Sequence, residues 1–228
     1  MGAANKWSDT AVLVIDMQKE FVDPAMGSLA FLAGGEAIPP AVTQAVELAR
    51  ERGIFVVWVV REHDPDGRDV ELFRRRFYSG GKGPAMKASQ GAAMADGLVF
   101  KEEDYKLVKT RFSSCFATNL DSLLKTSGIK NLVVVGVQTP NCVRQTVFDA
   151  VALDYEKITV IVDATAAANP EIHIANVRHE EHWGGDTNLG RLGSSGLIVL
   201  HASTNETSIG LDVWFFREKK NMVGFISI

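Results

Sequence analysis

Cysteine is nearly missing from this chain: among 228 residues only Cys115 and Cys142 carry a thiol. Two thiols without C-x-x-C spacing exclude a disulfide framework and the usual redox and zinc motifs, so both are expected to be reduced. Positive charge is not in excess either. The formal net charge of −4 argues against a nucleic-acid footprint, and no basic run interleaved with aromatics contradicts that. No apolar run approaches the roughly 20 residues that cross a bilayer, and the polar start MGAANKWSDT lacks an apolar signal segment. Lys6 also breaks the myristoylation pattern, so the expectation is a cytoplasmic protein without a membrane partner. No G-x-G-x-x-G or G-x-x-x-x-G-K-[ST] follows a candidate strand, which leaves nucleotide binding without support. No internal repeat is present.

What is there is a series of short apolar runs rich in Val and Ile: AVLVID (11–16), IFVVWVV (54–60), LVVVGV (132–137) and ITVIV (158–162). Runs that are continuous rather than alternating belong to strands buried on both faces. Between them lie helix-like segments. PPAVTQAVELARERG (39–53) opens on prolines, repeats Val42, Val46 and Ala49 at helical spacing and stops at Gly53. NLDSLLKTSG (119–128) and NCVRQTVFDAVALDY (141–155) follow the same plan. The alternation predicts an α/β fold, a doubly wound and mostly parallel sheet sandwiched by helices. Residues 61–100 are rich in charge and glycine. Their RRRFYSGGKG (74–83) reads either as a solvated helix face or as a lid beside a site.

In open α/β sheets, ligands bind beyond the carboxyl ends of the strands. Asp16 closes the first run, Cys142 follows the third in GVQTPNCV, and Lys109 sits in KLVKTRFSS, where Leu107 and Val108 suggest a further short strand. Each alone has a plain structural reading as a turn Asp, a solvated Lys or a packed Cys. Their coincidence at strand ends favours chemistry. Thr139 is a suitable N-cap and Pro140 a suitable first helical residue, which puts Cys142 in the first turn of a helix. Unpaired N–H groups and the helix dipole favour a thiolate there, Lys109 nearby would favour it further, and Asp16 could accept and return a proton. Cys115 has no such setting and reads as core.

These residues carry a resemblance. VIDMQKEF with Asp16, VKTRFSS with Lys109, GVQTPNCVRQT with Cys142 and the following VIVDATAA (160–167) resemble the isochorismatase-like cysteine hydrolase superfamily, which includes nicotinamidases, N-carbamoyl amidohydrolases and ureidoacrylate hydrolases. The resemblance covers roughly residues 9 to 178. It implies a six-stranded sheet, an Asp16-Lys109-Cys142 catalytic triad, and a non-proline cis peptide at Val137–Gln138. It further implies an oxyanion hole from the Gln138 and Cys142 N–H groups, and assembly as a homo-oligomer, dimer or tetramer, around a small-molecule substrate.

Relatives that cleave a vinyl ether typically lack the cysteine, so Cys142 favours amide, ureido or N-carbamoyl hydrolysis through a covalent intermediate. Nicotinamidases add a metal bound by an Asp-x-His and a later His. Here Arg61 replaces that Asp before His63, and the next His is His173, so no metal and no cofactor are expected. The acidic residues Asp64, Asp66 and Asp69 read first as a turn rather than a calcium loop. Arg61 could clamp a substrate carboxylate, or it could form a surface salt bridge with Glu62 or Asp64. Gln18 and Phe21 could line the pocket, Phe21 alternatively by packing. The resemblance stops where RHEEHWGGDTNLG begins. The expected domains are therefore a hydrolase domain over 1–178 and a divergent C-terminal tail over 179–228, in which GLIVLHAS either substitutes for a missing strand or stays unpaired.

Overall fold

The computed structural model describes residues 7–28, 30–78, 80–181, 187–190, 196–203 and 211–216. At the centre of its sheet is β1 (Thr10–Ile15), flanked by β2 (Phe55–Arg61) and β4 (Asn131–Val137). Outside these lie β3 (Tyr105–Lys109) and β5 (Lys157–Ala166), giving a parallel order β3-β2-β1-β4-β5. β6 (Thr187–Gly190), β7 (Gly196–Ser203) and β8 (Leu211–Phe216) extend the sheet beyond β5 in the order β7-β8-β6. The GLIVLHAS run is thus paired: β7 runs antiparallel to β5, with Val160 opposite Leu200.

The two-faced burial expected from the apolar runs is what organises the fold. All residues of β1 are buried, and they alternate between two cores. Val12 and Val14 point with Val56, Trp58 and Val135 to one face, where α2 (Pro39–Glu51) lays Val42, Ala45, Val46 and Ala49 over them. Ala11, Leu13 and Ile15 point with Val57, Val59 and Val134 to the other, covered by Leu120 and Leu124 of α3 (Leu120–Thr126) and Ala150 of α4 (Arg144–Ala152). A fully buried Val or Leu stabilises by about 1.5–3 kcal/mol, so this double layer outweighs the local preferences of the short helices. α1 (Lys19–Val22) leads away from β1, and α5 (Pro170–Glu181) follows β5.

Parallel strands bring their carboxyl ends to one edge. The register sets Ile15 beside Val59 and Gly136, and Arg61 beside Lys109. Gly136 is required for that approach. Its φ is +109°, and a Cβ there would lie 2.1 Å from the Ile15 carbonyl oxygen.

Candidate active site

Asp16 is the first residue past β1 and adopts φ +53°, a left-handed backbone that Asp tolerates better than most residues. Its N–H donates to the Val59 carbonyl at 2.8 Å, and its own carbonyl accepts from Gln18 N–H at 2.8 Å. The side chain is thereby turned to the end of β3, where Lys109 Nζ donates to Asp16 Oδ2 at 2.8 Å. Lys109 also donates to the Arg111 carbonyl at 3.2 Å. Both side chains are buried, and a buried ammonium without an anion would cost several kcal/mol, so each requires the other.

Arg61, the last residue of β2, is buried rather than at the surface, and its proposed surface partners are paired elsewhere: Glu62 with Lys106 and Asp64 with Arg68. Its guanidinium instead organises the site. Nε lies 3.5 Å from Asp16 Oδ2, Nη1 3.3 Å from His63 Nε2, and Nη2 3.3 Å from Glu71 Oε1 and 3.6 Å from Cys142 Sγ. The Phe112 ring lies 5.5 Å from its guanidinium carbon. Burial alone would lower the Arg61 pKa, but Cys142, Asp16 and Glu71 outweigh it and hold it above the ordinary arginine value.

Gln18 fixes the backbone of this arginine. Its Oε1 accepts from Arg61 N–H at 2.7 Å, and its Nε2 donates to the Arg61 carbonyl at 2.7 Å and the Ala92 carbonyl at 2.8 Å. Phe21 is buried and packs in the α2-side core with Val22 and Leu32.

Cys142 is buried in a turn spanning Thr139–Val143. The expected α-helical first turn capped by Thr139 is replaced by a wider one. Gln138 is the capping position, and Val143 N–H reaches back to its carbonyl at 3.3 Å. Thr139 is unavailable as a cap because its hydroxyl pairs with His173 Nδ1 of α5 at 2.8 Å. α4 begins at Arg144, and its Thr146 hydroxyl donates to the Cys142 carbonyl at 2.7 Å and accepts from Ser114 N–H at 2.9 Å. The Val137–Gln138 peptide bond immediately before the turn is cis. Cys115 is half-buried against the same core as Cys142, and burial, with Asp149 and Asp121 nearby, pushes its thiol up to about 12.

His63 is buried between Arg61 and Asp69, whose Oδ1 lies 3.3 Å from Nδ1. Burial first and Arg61 second push its pKa down to about 4, partly offset by Asp69 and Glu71. Its Nε2 faces a guanidinium, so the imidazole nitrogen a metal would use meets a fixed cation. Among the described residues no group of three His, Cys, Asp or Glu side chains could hold a metal ion. The donor set does not fit one.

Glu71, Phe112, Thr146 and Ser114 also belong to the site's surroundings and were not singled out from the sequence, and Arg74 of the triple arginine joins them. Arg74 is half-buried over the Phe73 and Phe112 rings at 5.5 and 5.0 Å, while Arg75 and Arg76 are exposed. The triple arginine is therefore split between a solvated face and a cation near the thiol.

Residues 10–187 match the isochorismatase domain, and the chain belongs to that family. It is 62% identical over 176 residues to a protein of Arabidopsis thaliana named a probable inactive nicotinamidase, covering 76% of this chain and 89% of the relative. It is 31% identical over 180 residues to a ureidoacrylate amidohydrolase of Azorhizobium caulinodans, covering 72% and 78%. The crystal structure of an isochorismatase family protein from Desulfovibrio vulgaris superposes with a TM-score of 0.74 at 37% identity, covering 77% of this chain and 91% of that one. No helix among the described residues is long and apolar enough to cross a membrane.

Proposed function

We propose that this chain is a cysteine-dependent hydrolase of small ureido or N-carbamoyl acids. The observation that carries the reading is Arg61: one guanidinium touches Asp16, which Lys109 holds, and the Cys142 sulfur. In the proposed cycle, Cys142 Sγ bonds to the substrate carbonyl carbon as its proton passes to Asp16, and the oxyanion rests on the Gln138 and Cys142 N–H groups. The C–N bond then breaks, Asp16 returning the proton to the leaving amine. Water adds to the S-acyl carbon and gives a proton to Asp16, and the S–C bond breaks as Asp16 passes that proton to the departing sulfur. Lys109 keeps Asp16 oriented and stabilises its anionic form between the two transfers.

With Cys142 as the neutral thiol from which the cycle starts, Lys109, Arg61 and Arg74 meet only the Asp16 and Glu71 carboxylates and one positive charge is left over, which supports an anionic substrate. Cys142 and the ureidoacrylate amidohydrolase relative support ureido chemistry. A non-catalytic role is the second reading, favoured by the name of the Arabidopsis relative. A panel of ureido acids, N-carbamoyl compounds and nicotinamide, assayed for released ammonia and amine, separates them. Cys142-dependent turnover of a ureido acid supports the first reading; a folded protein that turns over none of the panel supports the second.

A further inference from the structure

The two carboxylates at this site are used in the same incomplete way. Asp16 offers Oδ2 to Lys109 and Arg61, and Glu71 offers Oε1 to Arg61, on the same nitrogen that touches Cys142. Their other oxygens, Asp16 Oδ1 and Glu71 Oε2, are buried and have no hydrogen-bond donor among the described residues. Arg74 Nε forms an ion pair with Glu71 Oε2 at 3.6 Å, beyond hydrogen-bond range. Burial raises the Glu71 pKa, but Arg61, its own backbone N–H and Arg74 outweigh that and leave the carboxyl below its ordinary value, so it is an acceptor only. A buried carboxylate oxygen left without a donor costs more than a neutral one, so two beside one nucleophile point to a ligand that brings N–H groups.

We infer that Glu71 is a specificity residue, its free oxygen accepting an N–H from the substrate nitrogen that remains on the carbonyl while Asp16 serves the nitrogen that leaves. This rests on the hydrolase reading for the identity of the reacting carbonyl and adds the residue that distinguishes a ureide from a simple carboxamide. A ureido group flanks its carbonyl with nitrogen on both sides. When the terminal nitrogen leaves as ammonia, the internal nitrogen stays on the carbonyl and carries a donor. A simple carboxamide has carbon there and leaves Glu71 unanswered. The discrimination is of the kind in which a polar group of the site rejects the analogue that lacks its partner.

The test uses two ligands that differ only at that atom: N-carbamoylglycine and succinamic acid, in which CH₂ replaces the NH. Binding is measured by calorimetry to full-length Cys142→Ala protein, so the result does not depend on turnover. The Cys142→Ala protein is expected to bind N-carbamoylglycine about tenfold or more tightly than succinamic acid. Adding Glu71→Gln is expected to weaken N-carbamoylglycine about tenfold and succinamic acid less than twofold, in line with loss of a charge-assisted bond. Glu71→Asp, with the charge kept and the reach shortened, should also weaken only the ureide, and it serves if Glu71→Gln fails to fold. Equal losses for both ligands would assign Glu71 to holding Arg61 or a water, and overturn the inference. No preference for the ureide, or no binding of either ligand, would overturn it as well. The expected binding pattern with no hydrolysis by the unmodified protein would sustain the subsite and refute the catalytic reading.

Discussion

Lys109 Nζ and Asp16 Oδ2 meet at 2.8 Å across β2, which stands between their strands, and both side chains are buried. Removing either partner leaves an uncompensated buried charge, which costs about 3–5 kcal/mol. Lys109→Met is expected to lower the urea unfolding free energy by about that amount, and Lys109→Met with Asp16→Leu to recover much of it, because an apolar pair of similar volume replaces the ions. In the proposed cycle both variants lose turnover by at least about 10²-fold, since a positioned proton donor contributes 10²–10⁴-fold. Equilibrium unfolding and steady-state rates on the two variants check this.

His63 supplies a pH dependence of stability. Its pKa falls from 6.5 to about 4 on folding, so the unfolded chain binds more protons between those values. Stability from this residue is fully present above pH 6.5 and is lost as pH drops towards 4. The size is on the order of 3 kcal/mol from the linkage relation. Urea midpoints measured from pH 7 to 4 should fall less steeply in His63→Gln than in the unmodified protein.

Gly136→Ala is expected to be among the most damaging single-methyl changes. The added Cβ would meet backbone, the Ile15 carbonyl oxygen at 2.1 Å, at a φ of +109° that L-residues avoid. Backbone of β1 cannot move aside as a flexible side chain could, so a loss above about 4 kcal/mol is expected. Thermal unfolding and soluble yield measure it.

Cys115 is expected to resist alkylation. With its thiol pushed up to about 12 by burial and by Asp149 and Asp121, little thiolate forms below pH 9 in the native protein. Iodoacetamide labelling followed by peptide mapping should show slow native modification of Cys115 and rapid modification in denaturant.

The sequence revealed those features that depend on short-range pattern. Strand burial, the helix over Pro39–Glu51 with its stop at Gly53, and the strand-end placement of Asp16, Lys109 and Cys142 follow from apolar runs and turn residues. What escaped were long-range partners. Glu71 lies in the charge-rich stretch without periodicity, and nothing local indicates that it meets the end of β2. The turn at Cys142 departs from the expected α-helical start because Thr139 is drawn to His173, 34 positions away. Arg61 was legible as a departure from the metal pattern, but its contact with the Cys142 sulfur depends on the parallel order β2-β1-β4, which brings the carboxyl ends of β2 and β4 to one edge of the sheet. GLIVLHAS has the composition of a strand; only the structure gives its partner, β5, and its antiparallel sense.

The central claim is that Cys142 forms a covalent bond to substrate, and acid-quenching the protein during reaction with N-carbamoylglycine, followed by peptide mass mapping, tests it most directly. The account predicts an S-acyl adduct on the Cys142 peptide, none on the Cys115 peptide, and no turnover in Cys142→Ser. Turnover that survives Cys142→Ser, or a folded protein whose Cys142 stays unmodified by every ureido and N-carbamoyl acid tried, would contradict it.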